Sequence, residues 1–141
     1  MATSALSLKS LLVPSKTVEV EYPGLTGFFL NLSFLSRETL VNIRKKATKI
    51  TFKKNQPVEE LDEALFLQLY VNASIKGWKG LKLEYINTLA PVDLSGQDLS
   101  EELPYSQDDA LNLMKSSSDF DSFISNTVAD LANFTKSSTP A

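Results

Sequence analysis

The sequence predicts an α+β fold in which an N-terminal β-hairpin packs on a mainly helical domain of four to five helices. Apolar and polar residues alternate on both sides of a turn-forming segment near the N-terminus, and a period of two is typical of half-buried strands. From Ser36 onward, apolar residues recur mostly at spacings of three and four, the period of helices with one buried face. Because one hairpin is marginally stable in water, we expect its apolar face to cover the helices.

Length and composition fit one globular domain. The chain has 141 residues, of which 43% are hydrophobic and 22% are charged, close to the average for globular proteins. We divide it into an N-terminal arm (1–15), a single α+β domain (16–135) and a disordered tail (136–141). The chain has no histidine and no cysteine, which excludes disulfides, thiolate zinc sites, cysteine nucleophiles and serine–histidine catalysis. Carboxylate chemistry stays open in principle, but no carboxylate pair is singled out, so we expect no enzyme, cofactor or metal site.

The arm is rich in leucine and stops at Pro14, which cannot continue a helix. A short helix or a docking arm that a partner orders is expected there. Its leucines are Leu6, Leu8, Leu11 and Leu12. The longest apolar runs, such as Ala64–Leu67, are far short of the ~20 residues of a membrane span. The arm also lacks the apolar core of a signal peptide, so we expect a cytosolic protein whose mature chain is the whole chain.

The hairpin is predicted from two alternating segments, 16–22 and 28–35, which flank the turn-forming residues 23–27. Its buried face is expected to consist of Val18, Val20, Tyr22, Phe28, Leu30, Leu32 and Phe34. A first helix should follow over 37–47, with Ser36 as its N-cap. Residues 48–55 are open to two interpretations: a short third strand, because Ile50 and Phe52 alternate with lysines, or a mobile basic loop.

Further helices are predicted from capping residues and apolar spacing. Pro57 should open the most clearly predicted helix, with acids in its first turns that offset the helix dipole, and Gly77 should follow its C-terminus. A short helix over 83–89 and a loop over 91–105 come next. Ser106 should cap a helix that runs to about residue 115. The last helix should be capped by Ser118 or Asp119 and carry an apolar stripe that includes Phe120, Phe123, Ile124, Thr127, Val128, Leu131 and Phe134.

Charge is unevenly distributed. Residues 37–54 hold seven basic side chains and one acid, whereas residues 92–130 hold nine acids and only Lys115. Such regions can attract neighbouring copies head to tail, which gives rings or spirals, so a homo-oligomer is expected; alternatively, both are solvated surfaces. The segment 37–54 could also bind nucleic acid, with Phe52 as a stacking ring. The pI of about 5.0 argues against a dedicated nucleic-acid-binding domain.

Several residues are candidates for contact with a partner. Trp78, the one tryptophan, either fills the core or anchors an interface. The leucine-rich arm, the basic end of the first helix and the faces of the last two helices complete the candidate surfaces. The candidate partner-binding residues are Leu6, Leu8, Leu11, Leu12, Arg44, Lys45, Lys46, Trp78, Phe120 and Phe123.

Three segments together resemble a known family. Arg37–Leu40 opens a basic-ended helix, Pro57–Glu63 reads Pro-Val-Glu-Glu-Leu-Asp-Glu, and Val71–Leu81 reads Val-Asn-Ala-Ser-Ile-Lys-Gly-Trp-Lys-Gly-Leu. Over residues 16–135 the chain resembles the tail assembly chaperones of long-tailed, siphophage-type bacteriophages and prophages.

The resemblance implies a protein that binds the tape measure protein, and often tail tube subunits, in the cytoplasm of the infected host cell. It implies absence from the mature virion, self-association in some cases as spirals, and in many cases a longer product made by ribosomal frameshifting. A structural tail or neck adaptor of the virion is the main alternative, and a nucleic-acid-binding protein acting through residues 37–54 is the third.

Overall fold

The computed structural model describes residues 7–11 and 16–130. The predictions for Leu6, Leu12, Leu131, Phe134 and the tail 136–141 lie outside the described residues. In chain order the elements are α1 (Leu8–Leu11), β1 (Thr17–Glu21), β2 (Phe29–Ser33), α2 (Arg37–Ala47), β3 (Thr48–Lys53), β4 (Gln56–Leu61), α3 (Glu63–Ser74), β5 (Ile75–Lys79), α4 (Leu83–Leu89), α5 (Gln107–Ser116) and α6 (Ser118–Ala129). The predicted α+β class is confirmed, with five helices after the N-terminal hairpin in the part of the chain that the structure describes.

β2 is the centre of a three-stranded antiparallel sheet, with β1 on one side and β5 on the other. The predicted hairpin is β1–β2, in which Val18 lies opposite Leu32. Its turn contains Gly24 and Gly27 at φ of 81° and 87°, a region that glycine enters without the steric penalty of a Cβ. The side chains predicted for its inner face are buried at Phe28, Leu30 and Leu32, as well as at Val18 and Tyr22.

The long helix ends earlier than predicted, and a strand follows it directly. α3 stops at Ser74, and β5 pairs with β2 where the last helical turn was expected. The prediction that Gly77 follows the helix C-terminus is therefore wrong, because Gly77 lies in β5 opposite Asn31. The cause is tertiary: β5 satisfies the free hydrogen-bonding edge of β2 and buries Ile75 and Trp78.

β3 and β4 form a second, two-stranded antiparallel sheet. The strand interpretation of residues 48–55 is thus confirmed for Thr48–Lys53, and the loop interpretation is wrong. Between the strands, Lys54 and Asn55 both have positive φ, 53° and 65°. That pair of conformations defines a type I′ turn, whose twist matches that of a two-stranded hairpin.

The start of α3 is also displaced from its prediction. Pro57 lies in β4 opposite Phe52 and does not open the helix. The helix begins at Glu63, and the Asp62 carboxylate caps it by accepting a hydrogen bond of 3.1 Å from the backbone N–H of Leu65. Glu59 and Glu60 lie in β4, directly before the helix, where their sequence pattern is the same as that of acids in a first helical turn. The boundary between β4 and α3 could therefore not be predicted from composition alone.

The helices α2, α4 and α5 follow their predicted boundaries. Ser36 and Ser106 cap α2 and α5 as predicted, each accepting from the backbone N–H three residues later. α6 is capped by Ser117 instead of Ser118 or Asp119, because the Ser117 Oγ accepts a 3.1 Å hydrogen bond from the N–H of Phe120. The short helix α4 and the segment after it, which contains no helix, match the prediction.

The core lies between the three-stranded sheet and the helices, with α6 against β2, and α3 against both α2 and α5. Its centre is aromatic: the Tyr22 ring stacks on Phe28 and Phe120, with centroids 5.8 and 6.1 Å apart. Burial raises the pKa of the Tyr22 hydroxyl, and nearby Asp119 adds to that shift. Within the described residues, no helix combines the length and apolar character needed to cross a bilayer.

Candidate interaction surfaces

A basic surface extends from the end of α2 into the β3–β4 hairpin, because β3 begins at the residue after α2. We call it the β3 surface, and it consists of the exposed residues Arg44, Lys45, Lys46, Lys49, Ile50, Phe52, Lys53 and Lys54. Basic residues in the last turn of α2 also suit the negative end of its dipole. The Arg44 guanidinium lies 5.7 Å from the centroid of the Phe66 ring, which connects α2 to α3.

Two large apolar side chains of the β3 surface are open to solvent. Ile50 is 63% exposed and Phe52 is 72% exposed. They are two positions apart in β3, so they share one face of the hairpin, while Lys49 and Lys53 lie on the other. Exposed large apolar side chains flanked by charge are characteristic of interaction sites.

One ion pair joins the strands of the hairpin. The Lys53 Nζ lies 2.8 Å from the Glu60 Oε1. The hydrogen bond from Lys53 and its positive charge hold the pKa of Glu60 below its usual value, and the same contact raises the pKa of Lys53. Both groups are solvated, so the pair fixes side-chain geometry more than it stabilises the fold. Lys49, Lys54 and the basic end of α2 remain the exposed positive charges of the β3 surface.

A cleft of about 260 Å³ lies between α4, the following loop and α5. Apolar side chains form most of its lining, and Asp109, Asn112 and Ser116 add polar groups. Trp78 lines the cleft but belongs to the core, because it is 8% exposed and its indole N–H donates a 3.0 Å hydrogen bond to the Leu103 carbonyl. Tyr105 packs edge-on against the Trp78 ring at 5.1 Å.

The acidic region is distributed over the loop after α4 and the first turns of α5 and α6. Asp93 and Asp98 each accept hydrogen bonds from a serine two residues later, and these bonds lower the pKa of both carboxyl groups. Asp108, Asp109, Asp119 and Asp121 lie at helix N-termini, where a negative charge is favourable. Among the described residues, no three acids converge in a way that could hold a metal ion.

The structure separates the candidate partner-binding residues into distinct places. Leu8 and Leu11 are exposed on α1, and the predicted Leu6 and Leu12 lie outside the described residues. Arg44, Lys45 and Lys46 are exposed together on α2. The proposed role of Phe120 in partner contact requires correction, because its side chain is fully buried beneath the sheet. Phe123 is half-buried against Tyr22, at 4.7 Å between ring centroids.

Ile50 and Phe52 were missing from that set of candidates. The signal was present in the sequence, since both alternate with lysines over the segment for which a strand was considered. Because Pro57 is predicted to open a helix, the prediction contains no β4 that could pair with β3. A segment with one paired edge and two solvated faces exposes its apolar side chains, whereas the same residues in a buried strand would not be accessible.

Comparison with known proteins identifies the family. No curated protein and no solved structure matches the chain. A family model described as YdaY prophage protein matches residues 33–140, which span the end of β2, both hairpin strands β3 and β4, and all the helices from α2 onward. The match covers well over half of the 141 residues. The chain therefore belongs to the YdaY prophage protein family.

Proposed function

We propose that this prophage protein is a tail assembly chaperone that binds the tape measure protein during tail morphogenesis. The observation that carries the proposal is the β3 surface, where Ile50 and Phe52 are exposed on one face of the hairpin and Lys49 and Lys53 on the other. Membership of a prophage protein family supports a role in the phage life cycle. The resemblance of residues 16–135 to tail assembly chaperones supports the specific role.

The physical requirements of the client match this surface. A tape measure protein is a long helical chain that exposes apolar stripes until the tail tube encloses it. A protein that holds such a chain in solution needs accessible apolar side chains, and complementary charge that favours encounter. No reactive pocket is required, and we propose that the protein is not an enzyme. It would act in the host cytoplasm and be absent from the mature virion.

Co-expression with a tape measure fragment tests the proposal. We expect the fragment to stay soluble and to co-purify with the chain. Phe52→Ser should reduce the recovered fragment, because it removes an exposed apolar contact without disturbing the core. Leu99→Ser is the matched control, since Leu99 is also exposed but lies in the loop after α4. A fragment that is neither solubilised nor retained by the wild-type chain would contradict the proposal.

Composition of purified phage particles separates the chaperone from the main alternative. A chaperone leaves before the tail is complete, so peptides of this chain should be missing from mass spectra of purified virions. Stoichiometric amounts in the particles would instead indicate a structural tail or neck adaptor.

A further inference from the structure

The outer edge of β3 has no strand partner among the described residues, since the second sheet contains only β3 and β4. The backbone N–H of Asp62 donates a 2.8 Å hydrogen bond to the carbonyl of Ala47, so these two residues form a hydrogen-bonded pair. In an antiparallel pair of strands, hydrogen-bonded and non-hydrogen-bonded residue pairs alternate. Counting from that pair, the residues of β3 that bond to β4 are Lys49, Thr51 and Lys53. The backbone N–H and C=O groups of Ile50 and Phe52 therefore point outward, away from β4.

The two edges of this hairpin differ in their capacity to accept another strand. On β4 the outward positions include Pro57, which has no N–H to donate, and the exposed acid Glu59. Proline and charge are devices that protect an edge from pairing. On β3 the outward donors of Ile50 and Phe52 are both intact. Strand addition is thus possible on the β3 side and obstructed on the β4 side.

The side chains of β3 specify which strand would fit. A strand added to a sheet continues both of its faces, and its side chains lie beside those of the neighbouring strand. On one face the neighbours are the exposed Ile50 and Phe52, which favour apolar residues. On the other face the neighbours are Lys49 and Lys53, with Lys54 in the turn, which favour acids. A matching segment therefore alternates apolar and acidic residues.

We propose that the outer edge of β3 binds an extended segment of a partner protein, in which apolar residues alternate with Asp or Glu, as a third strand of the β3–β4 sheet. The partner is taken to be the client of the proposed chaperone, bound through an extended segment outside its helical stretches, and to that extent the inference rests on the proposed function. Backbone hydrogen bonds to Ile50 and Phe52 supply affinity, while the two faces supply specificity. A protein strand fits better than nucleic acid because β4 places Glu59 and Glu60 on the same hairpin and the chain carries a net charge of −3.

The first experiment uses a capped synthetic peptide of alternating valine and glutamate, as long as the six residues of β3. We expect it to bind the full chain and to shift the amide NMR signals of Ile50 and Phe52 most strongly. Alternating valine and lysine should not bind. Two further peptides carry backbone N-methyl groups on all valines or on all glutamates. Only one set of amides can face β3, so one peptide should bind more than tenfold more weakly and the other should bind like the parent. Equal effects of the two methylation patterns would overturn strand addition.

Variants of the protein test the same edge. Ile50→Pro removes one outward donor and should weaken peptide binding about fivefold, the worth of one hydrogen bond, whereas Ile50→Val should bind normally. Lys49→Glu should weaken binding more than Lys45→Glu, which changes net charge equally but lies on α2. Loss of binding that is the same for Lys49→Glu and Lys45→Glu would show a nonspecific charge effect and overturn the assignment.

The remaining outcomes distinguish this inference from the proposed function. A tape measure fragment that binds the Ile50→Pro and Lys49→Glu variants as tightly as the wild type would overturn the inference and leave the chaperone intact. Peptide binding with the expected methylation pattern, but no binding of the tape measure fragment, would support the edge and contradict the chaperone. A DNA oligonucleotide that displaces the peptide and itself shifts Ile50 and Phe52 would overturn the inference in favour of nucleic acid. Pairing of two chains through β3, seen as a dimer that Ile50→Pro dissociates without peptide, would also overturn it.

Discussion

Burial separates the roles of the aromatic residues, as a comparison of Phe120 with Phe52 shows. Phe120 is fully buried against Tyr22, whereas Phe52 is 72% exposed on β3. Phe120→Ala should lower the free energy of unfolding by about 3–5 kcal/mol, because it opens a cavity in a packed core. Phe52→Ala should change it by less than about 0.5 kcal/mol. Urea unfolding of both variants checks the contrast, and a large loss of stability in Phe52→Ala would mean that the β3 surface is covered.

Gly80 is a position where the backbone requires glycine for two reasons. Its φ is +75°, and a Cβ there would collide with the carbonyl oxygen of Gly27 in the turn of the first hairpin. Gly96 has nearly the same φ, +77°, but open space around it. Gly96→Ala should cost about 1 kcal/mol of unfolding free energy, the conformational penalty alone. Gly80→Ala should cost at least ~2 kcal/mol more, because the turn must shift as well. Similar losses in denaturant unfolding would argue against the close contact between Gly80 and Gly27.

Among the elements, α6 offers a direct test of where a helix begins. Ser117 is buried and accepts the capping hydrogen bond from the N–H of Phe120, while Ser118 is exposed in the first turn. Ser117→Ala should lower the free energy of unfolding by about 1 kcal/mol, the usual worth of an N-cap. Ser118→Ala should be nearly neutral or slightly stabilising, because alanine favours helix. The reverse order in thermal or urea unfolding would restore Ser118 as the cap.

The β3–β4 hairpin should respond to pH through its ion pair. The pKa of Glu60 is lowered from its ordinary 4.5 by Lys53, so the pair stabilises the hairpin above that value. As the pH falls through the lowered folded-state pKa, Glu60 takes up a proton and the contribution is lost. Glu60→Gln should therefore loosen the hairpin at neutral pH and resemble the wild type in strong acid. Hydrogen exchange of hairpin amides measures this, and a difference between the two proteins that persists in acid would contradict it.

Local sequence predicted the elements whose signals are local and failed where the partner is distant. The alternation around Val18 and the caps at Ser36 and Ser106 are contained in a few neighbouring residues, and each element formed as predicted. β4 and β5 depend on pairing with β3 and β2, so their own residues suit other structures equally well. The acids before Asp62 are compatible with a helix start, and Gly77 with a helix end. The basic side chains Arg44 to Lys46 were identified from sequence, but the free edge beside them required knowledge of β4.

Across the described residues, basic and acidic side chains concentrate in different places. Basic residues concentrate on α2 and β3, and acids on the loop after α4 and the N-termini of α5 and α6. Because α3 packs against both α2 and α5, the chain presents opposite charges on different parts of its surface. Charges placed in this way act mainly between molecules, where they favour encounter and orientation.

We therefore expect copies of the chain to associate head to tail, with the basic region of one on the acidic region of the next. Such heterologous contacts repeat, so wild-type protein should form oligomers that shrink as salt screens the charges. One variant, Lys45→Glu with Lys46→Glu, disables the basic side; a second, Asp93→Asn with Asp98→Asn and Asp108→Asn, disables the acidic side. Each alone should sediment as a monomer. In an equal mixture, the intact basic side of the second variant can bind the intact acidic side of the first, so dimers should form. Larger oligomers should not form, because the two sides that remain free in the dimer are both disabled. Oligomers that persist in either variant alone at low salt would exclude charge as the cause of association.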